Sequence, residues 1–177
     1  MPNAVKNYVR YVDALSRSVG RFAMYLIFAM LGILLFSSIS RAANVPQLWV
    51  VEMAQFTMAA YYLLGGGYSM LLDSHVRVDI FYGRWSIKKR AFTDSITAFC
   101  LIFYLIFLLV GGISSTQYAL EYGQKNYSAW GPPLAPIKII MTIGIVLMLL
   151  QATSMFFKDL ARARGEPLDE PRDEVAK

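Results

Sequence analysis

Cysteine and histidine are all but missing from this chain. Among 177 residues there is one of each, Cys100 and His75. A lone cysteine excludes an internal disulfide, and with it a quinone-linked oxidase that works through internal cysteine pairs. A lone histidine excludes bis-histidine haem ligation in a four-helix cytochrome subunit. Cys100 falls inside an apolar run and reads as a small packing residue. His75 stands near Asp73 and Asp79 and reads as a hydrogen-bonding group in a loop turn. With no convincing strand, there is no glycine-rich phosphate loop following one. The sequence therefore predicts no catalytic residue, no metal and no cofactor.

Charge is scarce as well. Only 16% of the residues are charged and 56% are hydrophobic, against about 25% charged in ordinary soluble domains. The deficit is concentrated in four uncharged stretches: Phe22–Ser40 with 19 residues, Met53–Leu72 with 20, Ser95–Leu120 with 26 and Ile139–Phe157 with 19. At the helical rise these cover roughly 28–39 Å, and a hydrocarbon core is about 30 Å thick. None carries the continuous polar face that a core helix of a soluble protein would need. The chain reads as an all-α integral membrane protein with four transmembrane helices, near 22–40, 53–72, 95–117 and 137–157. About twenty mostly polar residues precede the first stretch, which is longer than a signal-peptide core, so it is expected to stay as an anchor.

The positive charges sort by loop. Lys6, Arg10, Arg17 and Arg21 precede the first stretch; Arg77, Arg84, Lys88, Lys89 and Arg90 fill the second loop; Lys158, Arg162, Arg164, Arg172 and Lys177 follow the last stretch. The first and third loops hold only Arg41, Lys125 and Lys138. Basic residues in short loops stay cytoplasmic, which places both termini and the second loop inside. Basic flanks facing anionic lipid account for the net charge of +5 without nucleic acid. Trp49 and Trp130 in the outer loops, and Trp85 in the inner one, suit the headgroup level. Residues 1–163 then form a single membrane domain. The charged 164–177 end, with two prolines, reads as a disordered cytoplasmic tail.

Several local features stand out. In the second loop Val78, Phe81, Tyr82 and Trp85 recur at helical spacing, with Arg77, Arg84 and Lys88 on another face. That pattern suits an amphipathic segment on the inner membrane surface; a strand-like turn over Val76–Ile80 is the competing reading. Gly65, Gly66 and Gly67 in the second stretch, and Gly111 and Gly112 in the third, permit close helix approach. An unwound helix lining a pathway is the alternative there. Glu52 opens the second stretch, where it favours the positive end of the helix, and Arg41 closes the first. We read them as a capping ion pair. The rival reading makes Glu52 a proton- or sodium-coupling carboxylate, in an autonomous small exporter acting as a homodimer.

Taken together, Arg41, Asn44, Trp49 and Glu52 give R-x-x-N-x-x-x-x-W-x-x-E. The stretch LLGGGYSMLLDSHVRVDIFYGR follows, with Gly65, Gly66, His75, Val76 and Asp79 in a glycine and H-V-x-V-D pattern. In these motifs, and in W-G-P-P-L-A-P-I-K before the fourth stretch, residues 20 to 158 resemble the small membrane subunit, DctQ type, of tripartite ATP-independent periplasmic (TRAP) transporters. The resemblance implies a bacterial inner-membrane importer. A periplasmic binding protein delivers an organic acid, and a large membrane subunit, DctM type, moves it with a sodium gradient. The small subunit would brace the large one and help dock the binding protein. On this reading Arg41, Trp49, Glu52, Gly65, Gly66, Gly67, His75, Asp79 and Trp85 are structural or interface residues.

Overall fold

Four helices make up the computed structural model, which describes residues 3–72 and 87–163. They are α1 (Asn3–Ala42), α2 (Trp49–Leu71), α3 (Ile87–Glu121) and α4 (Ala135–Ala163). The expected amphipathic segment around Val78–Trp85, with His75, Asp79 and Trp85, lies outside the described residues, as does the expected tail.

α1 is longer than the apolar run that announces it. Its 40 residues reach about 60 Å, because the polar amino-terminal segment has a helical stripe of its own. Val9, Val12, Ser16, Gly20 and Ala23 recur every three or four residues, and all are buried. α1 ends through a left-handed residue. Asn44 has φ 58, Val45 N–H donates to the Ser40 carbonyl at 3.0 Å and Asn44 N–H to Arg41 at 3.1 Å. This Schellman closure satisfies carbonyls that the last turn would otherwise leave open. Gly123, at φ 56, closes α3 in the same way, with Gln124 N–H donating to Ala119 at 3.1 Å. Pro136 lies in the first turn of α4, where its missing N–H costs nothing.

The helices lie side by side in the order α1, α2, α4, α3, and the inner part of α1 also reaches α4. α4 is the centre: Gly144, Ile145, Leu147, Gln151, Ala152 and Ser154 are all buried. Met70, Leu105 and Ala152 form a small apolar core where α2, α3 and α4 meet, with Met148 and Leu149 packed on it. Elsewhere the surface is apolar. Phe28, Leu31 and Leu35 on α1, and Phe99, Phe103 and Phe107 on α3, are exposed, as helices bordered by lipid or by another apolar protein must be.

Three helices, over Ala4–Ala42, Ile96–Glu121 and Ala135–Ala161, are long and apolar enough to cross a membrane. The expectation of four such helices is met in length but not in apolarity. α2 has 23 residues, enough for a crossing, yet Glu52, Gln55, Tyr61, Tyr62 and the glycine triplet dilute it. A helix flanked on two sides by its own chain needs less apolar surface than one facing lipid.

Candidate functional site

α4 is held to its neighbours at three levels, by polar contacts at its two ends and by close-packed glycines between them. At the end where α1 begins and α4 finishes, Asp13 on α1 accepts from three side chains of α4. Lys158 Nζ lies 2.6 Å from Oδ2, while Gln151 Nε2 and Ser154 Oγ donate to Oδ1 at 3.2 and 3.4 Å. Ser16 Oγ donates to Gln151 Oε1 at 2.8 Å, so the Gln151 amide bonds through both of its ends. Tyr8 and Thr153 hydroxyls share a bond of 2.7 Å, and the Tyr8 ring meets Phe157 edge-on. Gln151 and Ser154 are 0% exposed. A buried amide is tolerable only when its donors and acceptor are met, and α1 supplies the partners. α4 places Gln151, Ser154 and Lys158 at i, i+3 and i+7, one face of a helix.

In the middle, small residues let backbones touch. A Cβ on Gly144 would lie 2.8 Å from the Leu63 carbonyl oxygen; one on Gly66 would lie 2.9 Å from Met148 Sδ; one on Gly67, 3.6 Å from the Leu147 carbonyl and 3.7 Å from Ser16 Oγ. Gly20 on α1 does the same against the Tyr68 ring. Close packing therefore describes Gly66 and Gly67, and their neighbour is α4 of the same chain. Gly65 differs, with nothing within 4 Å, and so do Gly32 and Gly111. The sequence shows no polar cluster beside the glycines, but the fold brings one there, since Ser16 of the inner network borders Gly67.

At the opposite end, Thr116 and Thr142 share a hydrogen bond of 2.9 Å between α3 and α4. Lys138 Nζ donates to Gln124 Oε1 at 2.7 Å and to the Ser115 carbonyl at 3.3 Å, tying the third loop to the helices below. That loop is ordered by its backbone. Asn126 N–H donates to Pro132 and Leu134 N–H to Gln124, each at 2.9 Å, and Gly131 has φ 60. Tyr127 and Trp130 stand exposed on it.

The capping pair read between Arg41 and Glu52 is absent among the described residues. Arg41 is exposed in the last turn of α1, where a cation suits the negative helix end. Glu52 is 7% exposed and its Oε2 has no hydrogen-bond partner. The register explains the separation. Glu52 shares its side of α2 with Leu63, Gly66 and Met70, which lie 11, 14 and 18 residues further on and return to nearly the same angle. That side meets α4, whereas Tyr68, which meets α1, points elsewhere. Trp49 stacks on Phe36 of α1 with ring centroids 5.8 Å apart, so it joins two helices. Asp13, Ser16, Gln151, Ser154, Gly20 and Gly144 escape a reading of the sequence, because each acquires its role only from a partner helix. The i, i+3, i+7 spacing of Gln151, Ser154 and Lys158 is the one local signal.

Among the described residues no group of three or more His, Cys, Asp or Glu side chains comes together to hold a metal ion. The arrangement is one of helices locked to each other, with apolar faces left over. Comparison with known proteins gives one family match. The model of the family described as "Tripartite ATP-independent periplasmic transporters, DctQ component" matches residues 30–162. No curated protein matches the chain.

Proposed function

Because this chain belongs to the DctQ family, the small membrane component of tripartite ATP-independent periplasmic transporters, we propose that it braces the large membrane subunit of such a transporter. That family is a transporter component and not an enzyme family, and the autonomous exporter finds no support in it. In our reading the chain crosses a bacterial inner membrane four times, with α2 as the fourth span and both termini cytoplasmic. The large DctM-type subunit imports an organic acid with sodium, and a periplasmic binding protein delivers the substrate. Residues 1–163 act as one membrane domain, while the 73–90 segment lies on the inner surface with His75, Asp79 and Trp85.

One observation carries this reading. Asp13 pairs with Lys158 and Thr116 with Thr142 between helices, while beyond Arg21 the outer face of α1, and that of α3, present large exposed apolar side chains. An organic anion enclosed between the uncharged spans would lack a strong partner at low dielectric, which is costly. A second membrane subunit, in contrast, needs apolar surface held at a fixed tilt. Open glycines suit such a surface, and Gly32, Gly65 and Gly111 qualify.

The test is purification of the pair and uptake in liposomes with the binding protein and a sodium gradient. The pair should co-elute and transport, and the small chain alone should not. Gly32→Leu and Gly111→Leu fill space that is empty within the chain, so each should leave it folded. Loss of co-elution in either identifies the docking face without changing which acid is carried. Transport by the purified small chain alone would sink the proposal.

A further inference from the structure

The amino-terminal half of α1 carries a stripe of cations that the other described residues leave unanswered. Lys6, Arg10, Arg17 and Arg21 fall at i, i+4, i+11 and i+15, within an arc of about 60° on the helix. One acid borders that arc, Asp13, about 20° from Lys6, and it is taken by Lys158 at 2.6 Å. Among the described residues none of the four cations pairs with an acid. Lys6, Arg10 and Arg21 are exposed. Arg17 is half-buried, and its Nε is sealed from solvent without an acceptor. A guanidinium prepared in this way has a donor already desolvated and nothing to donate to, which is unfavourable until an acceptor arrives.

Position in the membrane selects the acceptor. Arg21 directly precedes Phe22, the first residue of the apolar run, and the helix continues unbroken through both. The stripe thus begins at the edge of the hydrocarbon and extends about 22 Å along the axis away from it. Met24 and Phe28, both exposed, continue the same side of the helix into the apolar run, where acyl chains lie. Planar guanidinium groups match the oxygens of a phosphate. We propose that this stripe, centred on Arg17 and Arg21, is a binding site for the headgroup of an anionic phospholipid. Its lipid would fix the depth of α1 from the face next to the buried network, since Lys6 and Arg17 lie within about 40° of Asp13 around the helix. The inference is independent of the bracing role and of which leaflet the amino-terminal end meets.

The experiment uses the full chain, delipidated in detergent, with bound lipid counted by native mass spectrometry across a titration. Phosphatidylglycerol should bind more tightly than phosphatidylcholine of the same chain length. Each basic residue near a membrane surface is worth about 1 kcal/mol, so Arg17→Gln should weaken phosphatidylglycerol roughly fivefold. Arg17→Gln with Arg21→Gln should weaken it by roughly 25-fold on the same basis. Arg17→Lys should retain part of the preference, and Lys125→Gln, at the far end of the molecule, all of it. If Arg17→Gln does not fold, Arg10→Gln and Arg21→Gln replace exposed side chains and carry the same comparison. Equal binding of the two lipids, undiminished binding by the Gln variants, or displacement of the lipid by inorganic phosphate at equal concentration would each overturn the proposal. The last outcome would mark a free-anion site instead.

Discussion

Gly144 of α4 lies directly against the backbone carbonyl of Leu63 on α2, so that a Cβ there would stand 2.8 Å from the oxygen. The neighbour is main chain and cannot rotate away, unlike the flexible Met148 thioether facing Gly66. Gly144→Ala should therefore force the helices apart and cost about 1–3 kcal/mol, whereas Gly111→Ala, which meets open space, should be neutral or slightly stabilising. Thermal unfolding of the detergent-purified chain, with size-exclusion profiles, checks the contrast. Equal melting of the two variants would refute it.

The inner network calls for a double-mutant cycle. Gln151→Leu leaves Ser16 and one Asp13 oxygen short of a partner, and Ser16→Ala removes the other side of the same bond. Interhelical hydrogen bonds in membranes average about 0.6 kcal/mol, with a maximum near 1.7. We expect a coupling energy in that range from unfolding equilibria of wild type, both single variants and the double variant. Strict additivity would mean that the Ser16–Gln151 bond contributes nothing.

Asp13 and Lys158 have 15% and 14% of their side-chain surfaces exposed, so the pair is shielded without being sealed. Lys158→Met should destabilise the contact between α1 and α4, because Asp13 then keeps only neutral donors for its charge. Asp13→Asn combined with Lys158→Met removes both charges and should recover part of the loss. Limited proteolysis near the amino terminus reports the release of α1, and equal cleavage in the single and double variants would argue against the pairing.

Arg41 and Glu52 should behave as strangers. With no ion pair between them, Arg41→Gln and Glu52→Gln should add within about 0.3–0.5 kcal/mol in stability. Glu52→Gln retains the shape of the side chain and should leave assembly with the large subunit intact. Altered sodium or proton dependence of uptake in an assembled Glu52→Gln complex would restore a coupling role for this carboxylate.

The orientation taken from the charges is open to labelling. In a variant with Cys100 replaced by Ser, cysteines at Gln47 and Ser128 should react with an impermeant thiol reagent added outside, and one at Lys89 should not. Reaction at Lys89 in intact cells would invert the topology.

What the sequence made legible follows from how local each signal is. Uncharged stretches exposed the apolar parts of all four helices, and Gly66 and Gly67 stood out as close-packing residues. The inner half of α1 did not, since Lys6, Arg10, Arg17 and Arg21 mask the stripe from Val9 to Ala23 in any running average. Asp13 and Lys158 are 145 residues apart in the chain, and no periodicity links positions that only a fold brings together. Arg41 and Glu52 misled for the opposite reason: proximity across a short turn resembled contact, until the register of α2 turned Glu52 towards α4. Asn44 belongs to a sequence motif, but the left-handed closure of α1 that it makes is visible only in the backbone angle, φ 58.

α1 has no joint. Its 40 residues form one rod, gripped near the inner end where Gly20 meets Tyr68 and Asp13 meets Lys158. From Gly20 to Ala42 the rod extends about 33 Å, restrained on the way by the stack of Phe36 on Trp49. A swing of about 10° around Gly20 would carry the far tip about 6 Å on that geometry, while atoms at the pivot scarcely shift. The bilayer around the far tip and the attitude of the amino-terminal end would thus be coupled through one rod. A thicker or thinner membrane would be felt at the opposite surface through leverage, opposed by the Phe36–Trp49 stack, which stands about 24 Å from the pivot.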